Sequence, residues 1–131
     1  MGAASRCRIA VIDDDKSVLK ALRRLLATHD FGVETYESAD RFLEALRVPL
    51  PDCLVLDLQL PGTNGIELQR ELLRLGLAFP VIVLTGYDDP DMRQKCRSTG
   101  AVACLSKPVD GRALLLAIRT AVPACRGAPG H

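Results

Sequence analysis

The sequence predicts an α/β domain: a single doubly wound, five-stranded parallel sheet with helices on both faces. Three observations carry this prediction. Short apolar runs recur at Ile9 to Ile12, Val33 to Tyr36, Leu54 to Leu56, Pro80 to Leu84 and Ala101 to Leu105, each too short for a helix. The first, third and fourth are apolar throughout, as strands buried on both faces of a parallel sheet are. Between the runs lie segments of helical periodicity, and strict alternation of the two kinds of element gives a parallel sheet under right-handed crossovers. Order 2-1-3-4-5 is the economical winding. With 131 residues, 48% of them hydrophobic, the chain has room for one core.

Each element has a local reason. The first strand runs into Asp13-Asp14-Asp15. From Ser17 to about Thr28, Val18, Leu19, Leu22, Leu25 and Leu26 share one stripe, and Lys20, Arg23 and Arg24 cover the outer face. Gly32 opens the second strand, and Ser38 caps a short helix whose inner face is Phe42, Leu43 and Leu46, ended by Pro49 and Pro51. The third strand ends at Asp57 and is broken by Pro61-Gly62. A third helix spans Ile66 to Leu75, with Leu72 and Leu73 inward and Gly76 as its stop. The fourth strand ends in Thr85-Gly86. Asp89 and Pro90 start a fourth helix, as cap and first helical residue, which lasts to about Thr99 before Gly100. Only Met92 and Cys96 offer it inward positions, so it is the helix easiest to displace. Asp110 caps a last helix, with Leu114, Leu115, Ile118 and Val122 inward. A domain of residues 1–123 is expected, with 124–131 a loose tail or the start of a linker.

In such a sheet ligands bind beyond the carboxyl ends of the strands, at the point where the winding reverses between strands one and three. Asp13, Asp14 and Asp57 meet there, joined by a hydroxyl from Thr85 and an ammonium from Lys107. The bland alternatives are an Asp57 that only caps its own loop and a solvated acidic turn at residues 13–15. Three carboxylates against one lysine leave excess negative charge, which a hard divalent cation corrects. Mg2+ suits one or two carboxylates, a carbonyl and several waters, and Gln59 is placed to lend the carbonyl. The metal, Lys107 and Thr85 would together hold the three oxygens of a phosphoryl group, with Asp57 as nucleophile. Gly86 leaves the approach uncrowded.

These residues resemble the receiver domain of bacterial two-component response regulators. The resemblance rests on the run into Asp13-Asp14, the stretch Leu-Val-Leu-Asp57-Leu-Gln-Leu-Pro-Gly-Thr-Asn-Gly, Thr85-Gly86 and Lys107-Pro108, and it covers nearly the whole chain. It implies phosphoryl transfer from a sensor histidine kinase or phosphotransfer protein to Asp57. It further implies Mg2+ (or Mn2+) held by Asp13 or Asp14 together with Asp57, a switch read by Thr85, and a Lys107-Pro108 bond that is often cis. Thr85-Gly86-Tyr87 looks most like receivers that precede a helix-turn-helix output, among them nitrogen-fixation regulators. The chain departs from the family at Cys104, where an aromatic usually stands three residues before the lysine, and at Val109, often Phe. Cys104 cannot sweep the space that an aromatic would. The change is therefore expected to pass through the Gly86-Tyr87 loop and the fourth helix, around strand five, with Tyr87 the moving ring.

Other readings fit less of the chain. A dehalogenase-like phosphatase would use Asp13-x-Asp15-x-Ser17, leaves Asp57 idle and lacks room for a cap domain; a flavin-nucleotide site would put phosphate against three acids. A single-domain receiver acting by protein contact, or as a phosphorelay intermediate, remains open beside a receiver cut from a longer transcription factor, since no DNA-binding segment follows Val122. A homodimer on phosphorylation also remains open. The net charge of +1 gives no basis for DNA contact except through an output domain, or for a membrane partner. Five cysteines without a CxxC pair, and no signal-peptide core, point to a reducing cytoplasm, with Cys53 and Cys104 as small buried hydrophobes.

Overall fold

The computed structural model describes residues 7–60, 64–86 and 90–126. Strands and helices alternate as β1 (Arg8–Ile12), α1 (Lys16–Thr28), β2 (Gly32–Tyr36), α2 (Ala39–Ala45), β3 (Cys53–Asp57), α3 (Gly65–Arg74), β4 (Val81–Thr85), α4 (Pro90–Ser98), β5 (Ala101–Ser106) and α5 (Gly111–Ala121). The five strands are parallel in the order β2-β1-β3-β4-β5. This is the winding expected from the alternation, and it sets β1 against β3 at the reversal.

Side-chain alternation divides the core into two layers. Ile9, Val11, Val55, Ile82 and Leu84 pack under Leu19, Leu22 and Leu26 of α1 and Leu114, Leu115 and Ile118 of α5. Ala10, Ile12, Leu54, Leu56, Val81 and Val83 face Phe42 of α2, Leu68 and Leu72 of α3 and Cys96 of α4. Every residue of β3 and β4 is buried, so both faces of these strands contribute. Each fully buried aliphatic chain is worth roughly 1.5–3 kcal/mol of transfer free energy.

The caps follow local chemistry. Asp15 accepts from the Ser17 amide at the start of α1, Ser38 from Arg41, and Asp110 from Arg112. Asn64 and Glu67 exchange bonds in a capping box on α3, and Gly76 and Gly100 leave α3 and α4 at positive φ. Asp89 and Met92, read as the cap and an anchor of α4, lie outside the described residues and side chains.

Three features differ from the sequence expectation. Leu73 is not inward but 57% exposed. The buried stripe of α3 is Gly65, Leu68, Gln69 and Leu72, and Leu73 projects past it toward Gly100, which has no side chain to cover it. The helix α4 is held by polar bonds as well as by Cys96: Gln69 Nε2 donates to the Cys96 carbonyl at 3.3 Å, and Arg93 Nη2 to Ser106 Oγ at 3.2 Å. Finally, Cys7 is disulfide-bonded, whereas Cys53, Cys96 and Cys104 are free. The reading of all five cysteines as residues of a reducing compartment did not anticipate a bond there, because a pairing set by the fold leaves no mark in sequence spacing. Beyond α5, Pro123–Arg126 form a 3-10 turn. Among the described residues no helix is long and apolar enough to cross a membrane.

Candidate functional site

The pairing of β1 with β3 brings Ile12 beside Leu56, so the residues that follow, Asp13 and Asp57, emerge together from the sheet. The three acids at the end of β1 then take three different places. Asp13 is fully buried, and the Asp13 amide donates to the Tyr36 carbonyl of β2 at 3.1 Å. Asp14 is exposed. The Asp15 carboxylate turns to its own helix, accepting from the Ser17 amide at 2.9 Å and from Ser17 Oγ at 2.6 Å. Those bonds, led by the Ser17 hydroxyl, hold the Asp15 carboxyl below its usual pKa. Asp15 is thus spent as a cap, and the Asp13–Asp15 pair needed by a dehalogenase-like reading does not converge.

Asp57 is 3% exposed, and its Oδ1 accepts from the Gln59 amide at 3.0 Å. Lys107 reaches across from the end of β5, with Nζ 2.8 Å from Asp13 Oδ2 and 3.3 Å from Asp57 Oδ2. The Lys107 amide donates to the Thr85 carbonyl at 2.8 Å, which fixes the lysine's starting point beside β4, and the Lys107-Pro108 bond is cis. Thr85 closes β4 one position past Leu84, the register partner of Asp57, and is 1% exposed. Gly86 is exposed; a Cβ there would meet nothing nearer than Gln59 Oε1 at 3.9 Å, so the approach is open. Cys104 is half-buried on β5, and Tyr87 lies outside the described residues.

Burial pushes the Asp57 carboxyl above its ordinary pKa, and the Asp13 charge adds to the rise against the Gln59 amide and Lys107. For Lys107, burial pulls the other way, but the bond to Asp13 and the charges of Asp57 and Asp13 outweigh it and hold the ammonium above its usual pKa. Lys107 therefore stays charged at neutral pH. One ammonium faces two buried carboxylates and a third exposed one, so the pocket carries net negative charge.

Carboxylate oxygens of Asp13, Asp14 and Asp57 all lie within 4.8 Å of one another, and this acidic pocket could hold a metal ion. The donor set fits a hard divalent cation: oxygen ligands only, two of them fixed by burial, with Asp14 on a solvent-facing side that leaves room for waters. The raised Asp57 pKa has a consequence for pH. Because the folded state holds this proton more tightly than the unfolded state, ionised Asp57 costs metal-free stability, and that cost disappears as pH falls through the folded pKa. The stability difference between wild type and Asp57→Asn, measured by urea unfolding in chelator, is expected to narrow as pH is lowered. Metal affinity should fall over the same range, beginning above the pH at which an exposed Asp protonates.

Sequence reasoning brought Asp13, Asp14, Asp57, Thr85 and Lys107 to one place, and the fold assembles them there. It missed Gly65, where an added Cβ would lie 2.9 Å from Leu58 Cα and 3.0 Å from the Asp57 carbonyl oxygen. The signal for it was slight: a glycine at the first turn of a helix, just after an Asn cap.

A doubly wound five-stranded parallel sheet with a lysine-bridged acidic pocket at its reversal point, the place where such sheets bind ligands, defines a class of flavodoxin-like α/β domains. Within that class the chain belongs to the response regulator receiver domain family, which residues 9–119 match. It is 38% identical over 114 residues to the response regulator protein TodT of Pseudomonas putida, covering 87% of this chain and 50% of that protein. It is also 38% identical over 115 residues to the transcriptional regulatory protein FixJ of Azorhizobium caulinodans, covering 87% and 54%. Among solved structures it is similar to a response regulator receiver protein from Burkholderia phymatum, at 40% identity and a TM-score of 0.79 over 90% of this chain and 96% of that one. The response regulator StyR gives 39% and 0.84 over 91% and 60%. The chain thus spans about half the length of the curated relatives it matches. The family, the fold and a kinship with transcriptional regulators agree with the sequence reading.

Proposed function

We propose that the chain is a phosphoacceptor switch that takes a phosphoryl group from a histidine kinase or phosphotransfer protein onto Asp57. The observation that carries this reading is a buried carboxylate at the end of β3, bridged to Asp13 by the Lys107 ammonium and open to solvent past Gly86. Asp57 attacks through a carboxylate oxygen, while its other contacts, the Gln59 amide and Lys107, keep the carboxylate from rotating. Lys107 carries charge to the phosphoryl oxygens, and Thr85 offers its hydroxyl from β4. Asp13, Asp14, Asp57 and the Gln59 carbonyl would hold Mg2+ or Mn2+. When bound, the metal supplies the positive charge that lets an anionic phosphoryl group approach three acids. No substrate is turned over; the chain acts only on its own phosphorylation state.

The output would follow from contacts that differ between the two states. Drawing the Thr85 hydroxyl toward the phosphoryl group changes the end of β4, and the neighbouring face is α4 with β5. Residues 1–123 would form the switch and 124–131 the exit toward an output domain, through which transcription is controlled and DNA contacted. Kinship with FixJ supports that direction. Mapping the phosphoryl group after incubation with acetyl phosphate and Mg2+ tests the reading: label on Asp57 is required, and label on Asp13 excludes it.

Metal binding has its own test. A ligand that binds only the folded state adds RT ln(1 + [L]/Kd), about 1–3 kcal/mol at tenfold to hundredfold excess over Kd. Mg2+ at millimolar concentration is expected to raise the melting temperature of wild type by several degrees and that of Asp14→Ala by much less. Equal shifts in the two proteins would remove Asp14 from the metal site.

A further inference from the structure

Of the three cysteines free among the described residues, two lie in the same core layer. Cys96, on α4, is fully buried, and Cys104, on β5, is half-buried. Both pack in the layer between the sheet and helices α2 to α4, while Ala103 and Leu105 point into the opposite layer, so strand alternation aims Cys104 at α4. The two thiols thus share one side of the sheet, near enough for the Cys104 thiol to act on the Cys96 pKa. Cys53, the third cysteine free among the described residues, belongs to the other layer. The pair sits at a mechanically sensitive place: Cys96 is the buried apolar anchor among the described side chains of α4, its carbonyl takes the Gln69 bond, and Arg93 ties the same helix to Ser106, two residues past Cys104.

We propose that Cys96 and Cys104 are a dithiol that peroxide converts to an intramolecular disulfide, fastening α4 to β5 and opposing the phosphorylation switch. The second half of the proposal rests on the phosphoacceptor reading above. In the first step the more exposed Cys104 attacks the peroxide, whose O–O bond breaks; Cys104 becomes a sulfenic acid and one water leaves. In the second step Cys96 sulfur attacks the Cys104 sulfur, the S–O bond breaks, and the Cys96 proton leaves with the hydroxyl as a second water. Two thiols and one peroxide thus give one disulfide and two waters. Burial, with the Cys104 thiol beside it, pushes the Cys96 pKa up to about 11, so Cys96 waits as a thiol and does not react with oxidant first. An S–S bond of about 2.0 Å is shorter than a thiol–thiol contact, so closing it draws α4 onto β5.

The test uses the full chain. After peroxide treatment and alkylation of the remaining thiols, trypsin should release the peptide of residues 96–97 joined to that of 98–112, two hydrogen masses below their sum and separated by dithiothreitol. Cys96→Ser and Cys104→Ser should each lack the joined product, and Cys96→Ser should leave a sulfenic acid at Cys104 trappable by dimedone. Oxidised wild type should take up phosphoryl label at least about fivefold more slowly than reduced wild type, the lower end of ordinary coupling between sites. Cys104→Ser, which keeps the Cys7 disulfide, should show no such change with peroxide or reductant. Absence of the joined peptide while Cys104 is oxidised overturns the disulfide. A joined peptide with unchanged labelling overturns its regulatory role. Failure of the reduced protein to label at all overturns the phosphoacceptor reading and with it that role, while the peptide map still decides the disulfide.

Discussion

Asp57→Asn is expected to abolish phosphoryl uptake while leaving the protein folded. The amide has the shape of the carboxylate, and its oxygen still accepts from the Gln59 amide, which in the wild type lies 3.0 Å from Asp57 Oδ1. It lacks the nucleophilic oxygen. Transfer from acetyl phosphate requires a new bond from a carboxylate oxygen to phosphorus as the bond to acetate breaks, and the amide does not make it. The substitution also removes one of two buried carboxylates that share Lys107, so the metal-free variant should unfold at no lower urea concentration than wild type. Loss of label then cannot be ascribed to loss of fold. Intact-mass measurement checks both halves: wild type should gain one phosphoryl group, removable by hydroxylamine, and the variant none. Undiminished labelling of the variant would move the nucleophile elsewhere and discard the site described here.

The second large effect belongs to a residue with no chemistry. Gly65→Ala should destabilise the domain by about 1–3 kcal/mol and weaken its stabilisation by Mg2+. Alanine is the better helix former by about 1 kcal/mol, so propensity alone predicts a gain. Packing decides otherwise. The new Cβ would stand 2.9 Å from Leu58 Cα and 3.0 Å from the Asp57 carbonyl oxygen, both backbone atoms that cannot rotate away. Relief requires α3 to back off from the end of β3, stretching the 3.1 Å bond from the Gly65 amide to the Leu58 carbonyl and shifting the residue that carries the carboxylate. Gly111→Ala is the control. Its Cβ would meet the Leu25 side chain at 3.3 Å, a flexible neighbour, and its effect should stay within about 0.5 kcal/mol. Urea unfolding of the two variants with and without Mg2+ checks the contrast; equal stabilities would show that the β3 exit is soft.

The order of elements, the five-stranded winding and the convergence of Asp13, Asp57, Thr85 and Lys107 were legible in the sequence because their causes are local. Apolar runs buried on both faces mark strands wherever they sit, Ser38, Asn64 and Asp110 cap through their own neighbours, and a parallel sheet places all strand ends on one side. Tertiary structure alone decided what depends on a neighbour distant in the chain. Adjacent identical acids became a buried partner of Lys107, an exposed carboxylate and a helix cap, because β2 and Lys107 engage Asp13 whereas Ser17 takes Asp15. Leu73 was left uncovered because Gly100 has no side chain to meet it. Gln69, Arg93 and Cys104 became the anchors of α4 only when β5 and α3 closed around it. A residue's type states what it can do; the element packed against it settles which of those things it does.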